Sequence, residues 1–415
     1  MLKLLHAADL HLDTPLKGLL ETRGVSEKAA RCTLDAFTRV IDLALRENVD
    51  GVLLAGDLFD RRDRSLRARL HLGRQLDRLH EARIPSFLVA GNHDPLGPDD
   101  GHLGLPPTAT IFGASWSEVM VDRPAGSYRV QGISHAQAEV RENLALLFHR
   151  NASAPDPTVG LLHCNVGGQQ AHANYAPCSV GDLAQADLDY WALGHVHTRE
   201  CFPAGRGLAA YPGNPQGRHV RETGARGCLL VEMDPAGRRP PTTRFLPTDV
   251  LRWHWLHISL DAHESVEAIL EDTLARAAAE AGDVPFVHTH VFRVTLEGRS
   301  ALHRELGRSE SRATIEDRLA ESFGSNGWLL ESVELASSAM WRLSDVLAAG
   351  GLAAEVARWL EGPVPDAELD ALWKEAGLEA LDERLAFARV DGLDKRPTLE
   401  AAARRALDLL LEVEP

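Results

Sequence analysis

Five short polar clusters mark a chain of 415 residues: Asp9-Leu10-His11, Gly56-Asp57, Gly91-Asn92-His93-Asp94, His163 and Gly194-His195-Val196-His197. Together they supply carboxylates, an amide and imidazoles, all oxygen or nitrogen donors with no sulfur. Such a set suits manganese, iron, zinc or cobalt. One carboxylate shared between two such ions is the usual arrangement for phosphoryl transfer, where the ions polarise the phosphate and acidify a water. The i, i+2 spacing of Asp9 with His11, and of His195 with His197, places both side chains on one side of an extended chain. Each pair then aims two ligands at one point from a strand end. A glycine before Asp57 and another before Asn92 permit a tight turn that exposes the next side chain. Any one cluster alone reads as a turn or a surface group. Five of them, each closing an apolar run, do not.

Those runs are the elements that must position the clusters. They are Leu2–Ala7, Gly51–Ala55, Ser86–Ala90, Val159–Leu162 and Tyr190–Leu193, with Cys228–Val231 following. Several are apolar at nearly every position, as strands buried on both faces are. They alternate with helix-like stretches, which predicts an α/β domain over residues 1–250. An α/β sheet holds its ligand just past the carboxyl ends of its strands, where these clusters fall.

A second unit, 251–340, opens with a strand. Its Leu251, Trp253, Trp255, His257 and Ser259 share one face, and Arg252, His254, Leu256 and Ile258 the other. A helix over Ser265–Ala281, a strand over Thr289–Leu296, a helix over Ile315–Phe323 and a strand over Trp328–Leu335 complete a small α+β or α/β domain. Residues 341–415 read as helices broken by Gly362-Pro363-Val364-Pro365 and Gly392. Leu369, Leu372, Trp373 and Ala376, then Leu399, Leu407, Leu410 and Leu411, give them apolar faces.

Composition narrows the function classes. A hydrophobic share of 44 % with 25 % charged residues is that of a globular protein. Five scattered cysteines without a C-x-x-C pair fit a reducing cytoplasm and offer no thiolate zinc site. No apolar run approaches the ~20 residues of a membrane span, and the N-terminus carries no basic-then-apolar leader. We therefore expect a cytoplasmic protein with no membrane association. The formal charge of −16 argues against a nucleic-acid partner. Two divalent ions would nevertheless outweigh Asp9 and Asp57 where a phosphate must sit. Half of the acidic excess lies beyond Ser344, where 8 basic residues face 16 acidic ones.

The five clusters resemble the signature motifs of the calcineurin-like metallophosphoesterases. Leu2–Asp13, Gly56-Asp57-Leu58-Phe59-Asp60 and Tyr211-Pro212-Gly213-Asn214-Pro215 are similar to the DNA-repair exonuclease branch of SbcD-like nucleases. His163–Gly168, Tyr175–Cys178, Asp189–His197 and Tyr211–Glu222 look like its YhaO-like subgroup, as does Phe292–Leu306 more weakly. This resemblance implies an αββα sandwich with a smaller α/β capping domain and a C-terminal helical segment. It implies a two-metal-dependent DNA nuclease of double-strand-break repair, with manganese first among the ions. Asp9, His11 and His197 would hold one ion, Asn92, His163 and His195 the other, and Asp57 would bridge them. His93 would act on the scissile phosphate. Asp94 would orient His93 or its loop, with a turn-stabilising side chain as the alternative. The resemblance also implies a homodimer and an SbcC-like coiled-coil ATPase docked on the C-terminal helices. Hydrolysis of a small phosphoester and a non-catalytic scaffold role are the competing readings.

Other residues are read more simply. Asp60, where archaeal members of the branch often carry histidine, reads as the cap of a helix over Arg61–Leu79, with a further acidic group in the site as the alternative. Arg61, Arg62, Arg64, Arg67 and Arg69 then form mostly a solvated face. Arg199, Arg218 and Arg221 are better placed for phosphate. Trp253 and Trp255 are expected to be buried rather than to stack on bases. His172, Tyr175 and Cys178 either support the ligands or pack a loop.

Overall fold

The computed structural model describes residues 1–16, 19, 31–60, 65–96, 104–151, 153, 156–168, 174–282, 284, 287, 289–360, 365–376, 378 and 394–412. Arg61, Arg62, Arg64, His172, Gly362, Pro363, Val364 and Gly392 lie outside them. The chain divides into two compact units. The first comprises Met1–Trp255, Ala278–Arg293 and Ser322–Glu331, and the second Leu256–Ala277, Val294–Glu321 and Ser332–Pro415.

The apolar runs do become strands. The first six are β1 (Leu2–Ala7), β2 (Gly51–Ala55), β3 (Ser86–Val89), β4 (Ala109–Ile111), β5 (Ser117–Val121) and β6 (Tyr128–Gly132). After them come β7 (Thr158–His163), β8 (Tyr190–Gly194), β9 (Glu200–Ala204), β10 (Gly207–Tyr211), β11 (Gly227–Met233) and β12 (Thr242–Pro247). One six-stranded sheet has the order β12-β11-β1-β2-β3-β4 and the other β5-β6-β7-β8-β10-β9. In the first, β1 to β4 run parallel and β11 closes antiparallel on β1. In the second, β6, β7, β8 and β10 run parallel.

Alternation along each strand builds the layers. Leu4, Leu53, Val89, Val130, Leu161 and Ala192 meet in one cluster drawn from both sheets. Their neighbours Leu5, Leu54 and Leu88 point the other way, onto Phe37, Ile41, Leu72 and Leu76 of the helices Cys32–Glu47 and Leu66–Glu81. The outer face of the second sheet packs Leu162, Trp191 and Tyr211 against Phe148 and Leu183. This is the αββα sandwich, and it brings the carboxyl ends of β1, β2, β3, β7 and β8 together.

A third, three-stranded sheet has the order β13-β14-β15, from β13 (Leu251–Ser259), β14 (Thr289–Ser300) and β15 (Leu329–Ala339). In β13 the buried face changes partway. Leu251 and Trp253 are buried, but beyond His254 it is Leu256 and Ile258 that turn inward. Trp255 is therefore 38 % exposed, contrary to the expectation of burial, and the Arg293 guanidinium lies 5.7 Å from its ring centroid. The second unit has its own small core of Val346, Ala357 and Leu407, with Trp341 and Leu411 against it.

His254 and His290 are buried and share a hydrogen bond of 2.9 Å beside Phe292. Burial, then their neighbours, push both pKa values down to about 4. An unfolded chain would bind these protons near pH 6.5, so stability is full above that pH and falls as pH drops toward 4. The melting temperature of His254→Gln should decline less steeply than wild type between pH 6.5 and 4. Parallel curves would show that the pair does not drive acid unfolding.

Candidate metal centre

The clusters converge through backbone conformations that extended chain does not provide. Strand β1 ends at Ala7, and Asp9 and His11 then adopt φ of 53° and 40°. Asp57 stands at 47° and His195 at 104°. Among the described residues nine non-glycine residues have positive φ, and these four belong to the site. Each such position costs on the order of 1–3 kcal/mol unless its surroundings over-determine it. The extended i, i+2 geometry expected for the two pairs is therefore replaced by left-handed turns past the strand ends.

Backbone hydrogen bonds supply the over-determination. Asp9 N–H donates to Gly56 O at 3.1 Å, His11 N–H to Asp57 O at 3.0 Å, and Leu12 N–H to Leu58 O at 2.9 Å. The loops after β1 and β2 thus stay paired beyond their sheet. His195 N–H donates to Asp9 Oδ1 at 3.0 Å and His93 N–H to Asp57 Oδ1 at 2.9 Å, tying in the loops after β8 and β3. Asp94 is buried and accepts from Gly91 N–H at 2.8 Å and Leu58 N–H at 2.9 Å. It holds the loops after β2 and β3 together.

Donor atoms gather in two adjoining places. Asp9, His11 and His197 each offer a ligand atom within 4.8 Å of the others, and so do Asp9, Asp57 and His163. Asn92 Oδ1 lies 3.1 Å from His163 Nε2 and 3.2 Å from His195 Nδ1. All seven expected ligands are brought together, and His93 stands beside them with 44 % of its side chain exposed.

The tautomers follow from the far edges of the rings. His11 Nδ1 lies 3.1 Å from Asp60 Oδ1 and His197 Nδ1 lies 2.6 Å from Glu222 Oε1. His163 Nδ1 lies 2.9 Å from the carbonyl of Ala55. Carboxylates and carbonyls only accept, so each Nδ1 carries a proton and each Nε2 is the nitrogen turned toward the site. Two of those, on His11 and His197, face each other at 3.4 Å. The third, on His163, faces Asp57 Oδ2 at 3.5 Å. Lone pairs so placed repel one another and fit cations placed between them.

Charge points the same way. Burial and the adjacent Asp57 carboxylate push the Asp9 carboxyl well above its usual range. Burial acts to raise Asp57 too, but the surrounding His163, His11 and His93 hold it below. Burial pushes His11 down to about 3 and His163 to about 4, which leaves both neutral, the form that binds metal. His93 is raised, chiefly by its hydrogen bond to Asp60.

Two acidic residues were misread or missed in the sequence. Asp60 is not a helix cap: Ser65 caps the helix Leu66–Glu81, accepting from Ala68 N–H at 3.0 Å, and Asp60 turns into the site. Glu222 is buried and held ionised against burial by His197 and Arg218. It also accepts from Asn214 Nδ2 at 2.8 Å and Arg218 N–H at 2.7 Å. Its position at the end of the Tyr211–Glu222 stretch was the available signal.

The remaining candidates are mixed. Arg218 lies 3.4 Å from Asp60, whereas Arg199 stacks on Phe245 and Arg221 is exposed. Arg67 is paired with Asp13. The Tyr175 ring lies 6.0 Å from His195, and Cys178 packs 3.8 Å from Cys164.

Residues 2–199 match the model of the calcineurin-like phosphoesterases, and residues 253–338 that of the middle domain of metallophosphoesterase YhaO. The chain is 38 % identical over 235 residues to the metallophosphoesterase YhaO of Bacillus subtilis, a match spanning 56 % of this chain and 57 % of that one. It is 27 % identical to the DNA double-strand break repair protein Mre11 of Sulfurisphaera tokodaii, over 72 % of this chain and 74 % of the relative. With the SbcD component of the Bacillus subtilis nuclease SbcCD the identity is 26 %, over 56 % of this chain and 67 % of the relative.

Gly194 sits where the two sheets pinch together. A Cβ there would fall well inside contact distance of the Ala55 carbonyl and against His163 Nδ1. Gly194→Ala should therefore spread the loops after β2 and β8, lowering manganese affinity at least about tenfold by calorimetry, as loss of supporting contacts does. Wild-type affinity in that variant would show the frame to be more tolerant than the packing implies.

Proposed function

Since the first domain of this chain belongs to the calcineurin-like metallophosphoesterases, which are metal-dependent phosphoester hydrolases with a dinuclear site, we propose that the chain is a DNA nuclease. The observation that carries this is a complete donor set with an exposed, carboxylate-held histidine at its edge. Asp9, His11 and His197 would hold one ion and Asn92, His163 and His195 the second, with Asp57 shared between the two groups and manganese as the ion of choice. Bound together, the ions supply polarisation of the phosphate and a water acidified toward neutral pH. The chain does the rest. Asp9 and Asp57 are fixed by the N–H groups of His195 and His93, so the ligands need little rearrangement. His93 presents its outer edge to the scissile phosphate and supplies a proton to the departing oxygen. Asp94 keeps the His93 loop on the Asp57 loop.

DNA as substrate draws support from the Mre11 and SbcD relatives, whose names give double-strand break repair and nuclease activity. The second unit supports a protein partner. Leu352, Val356, Trp359, Leu372, Leu399 and Ala402 line an open groove of about 610 Å³. Its apolar lining fits an amphipathic helix, such as one from the coiled coil of an SbcC-like ATPase.

On end-labelled duplex DNA with manganese, His93→Leu should keep its metal and lose about 10²–10⁴-fold in rate. Asp57→Ala should lose both metal and hydrolysis, measured by elemental analysis beside the assay. A fully active His93→Leu protein would sink the assignment. Leu372→Asp should abolish binding of the ATPase while leaving manganese-dependent cleavage intact, read by co-purification.

A further inference from the structure

We propose that His135, in the loop after β6, is a positioning residue for the second ion. It ties His163 to the loop that carries Asn92, and so holds two of that ion's side chains in register. The inference rests on the two-ion reading of the site. Strand β6 runs parallel to β7, so its carboxyl end opens on the same edge of the sheet as His163. His135 lies there fully buried.

The tie runs through both ring and backbone. His135 Nε2 lies 2.7 Å from the carbonyl oxygen of His163. Burial pushes the His135 pKa down, which leaves the ring neutral. A carbonyl only accepts, so the one ring proton sits on Nε2. The imidazole also meets the His163 ring edge to face, 5.5 Å between centroids at 87°. On the backbone side, His135 N–H donates to Ala90 O at 3.1 Å, and Leu96 N–H donates to His135 O at 2.9 Å. Ala90 and Leu96 bracket Gly91-Asn92-His93-Asp94, so one residue grips that loop at both ends. Ser134 reinforces the grip, its Oγ accepting from Ala90 N–H at 2.9 Å and donating to Phe112 O at 2.5 Å.

Such a tie is needed because β3 and β7 belong to different sheets, and no strand ladder fixes their separation. Asn92 Oδ1 and His163 Nε2 nevertheless stand 3.1 Å apart. Among the described residues His135 makes no hydrogen bond to Asp9, His11 or His197, so the tie acts on one side of the centre. Its Nδ1 is buried with no partner among the described residues. A buried acceptor without a donor is costly. An apolar side chain would avoid that cost, so core packing alone does not account for an imidazole here.

His135→Leu fills the space without a donor, whereas His135→Gln keeps an N–H close to the place of Nε2. Each metal-free variant should be titrated with manganese by calorimetry. In His135→Leu one of two binding events should weaken about 10–100-fold while the other is retained, and His135→Gln should recover most of the loss. At two equivalents of manganese, the paramagnetic resonance spectrum of His135→Leu should change from that of a coupled pair to that of isolated ions. Should His135→Leu not fold, His135→Asn, whose shorter amide falls short of the His163 carbonyl, should give the same selective loss. Equal weakening of both events would mark a general loosening of the fold and overturn the proposal, as would two wild-type affinities or no recovery in His135→Gln. Histidine-selective ¹⁵N spectra of the metal-free protein test the tie without any ion. His135 should carry its proton on Nε2, and a proton on Nδ1 instead would overturn the proposal. A wild type that takes up fewer than two ions while His135 keeps its Nε2 proton would instead overturn the two-ion reading.

Discussion

Mutual repulsion of lone pairs is the constraint on which this site depends. Asp9 and Asp57 and the Nε2 atoms of His11, His163 and His197 point into one buried space, where each would be stabilised by a cation and is crowded by its neighbours. Left to itself such a cluster would relax apart. It is held by groups that have nothing to do with ligation: backbone N–H groups on the carboxylates, and Asp60, Glu222 and the Ala55 carbonyl behind the rings. The strained left-handed turns at Asp9, His11, Asp57 and His195 persist because those contacts fix them from several sides.

Much of this was legible in the residues. Strands buried on both faces leave continuous apolar runs, and the polar residue that ends such a run has to lie at the sheet's edge. The seven donors and His93 could therefore be found by reading run ends, and the parallel sheets inferred from them. What could not be read was local conformation. Spacing of i, i+2 is compatible with both extended chain and consecutive turns, and only the contacts between loops chose the latter. Asp60 resembled a cap because an acidic residue ahead of an arginine-rich stretch usually is one. Ser65, five residues on, took that role and freed Asp60 for the site. Glu222 escaped because its partner, His197, lies 25 residues away and no periodicity links them. Trp255 was misplaced because a strand that exchanges its buried face breaks the alternation on which face assignments rest.

Acidity and phosphate binding are reconciled by distribution. The donors gathered at the site are few and enclosed, while half of the negative excess sits in the segment beyond Ser344. A chain of this charge gains little from long-range attraction to nucleic acid and its affinity should respond weakly to salt. Recognition would then come from short-range contacts at the site and, on the proposed reading, from a partner docked in the apolar groove of the second unit.

The position of β1 has a consequence for how the protein is made. This strand leads into the loop of the first two donors and lies in the interior of its sheet, between β2 and the much later β11. The last supporting carboxylate, Glu222, comes just before β11 in the chain. A polypeptide growing from its N-terminus therefore synthesises Asp9 and His11 long before the strand that walls them in. The centre can close only after more than half of the chain has been translated, so the choice of metal falls to a nearly finished domain rather than to exposed ligands on a nascent one.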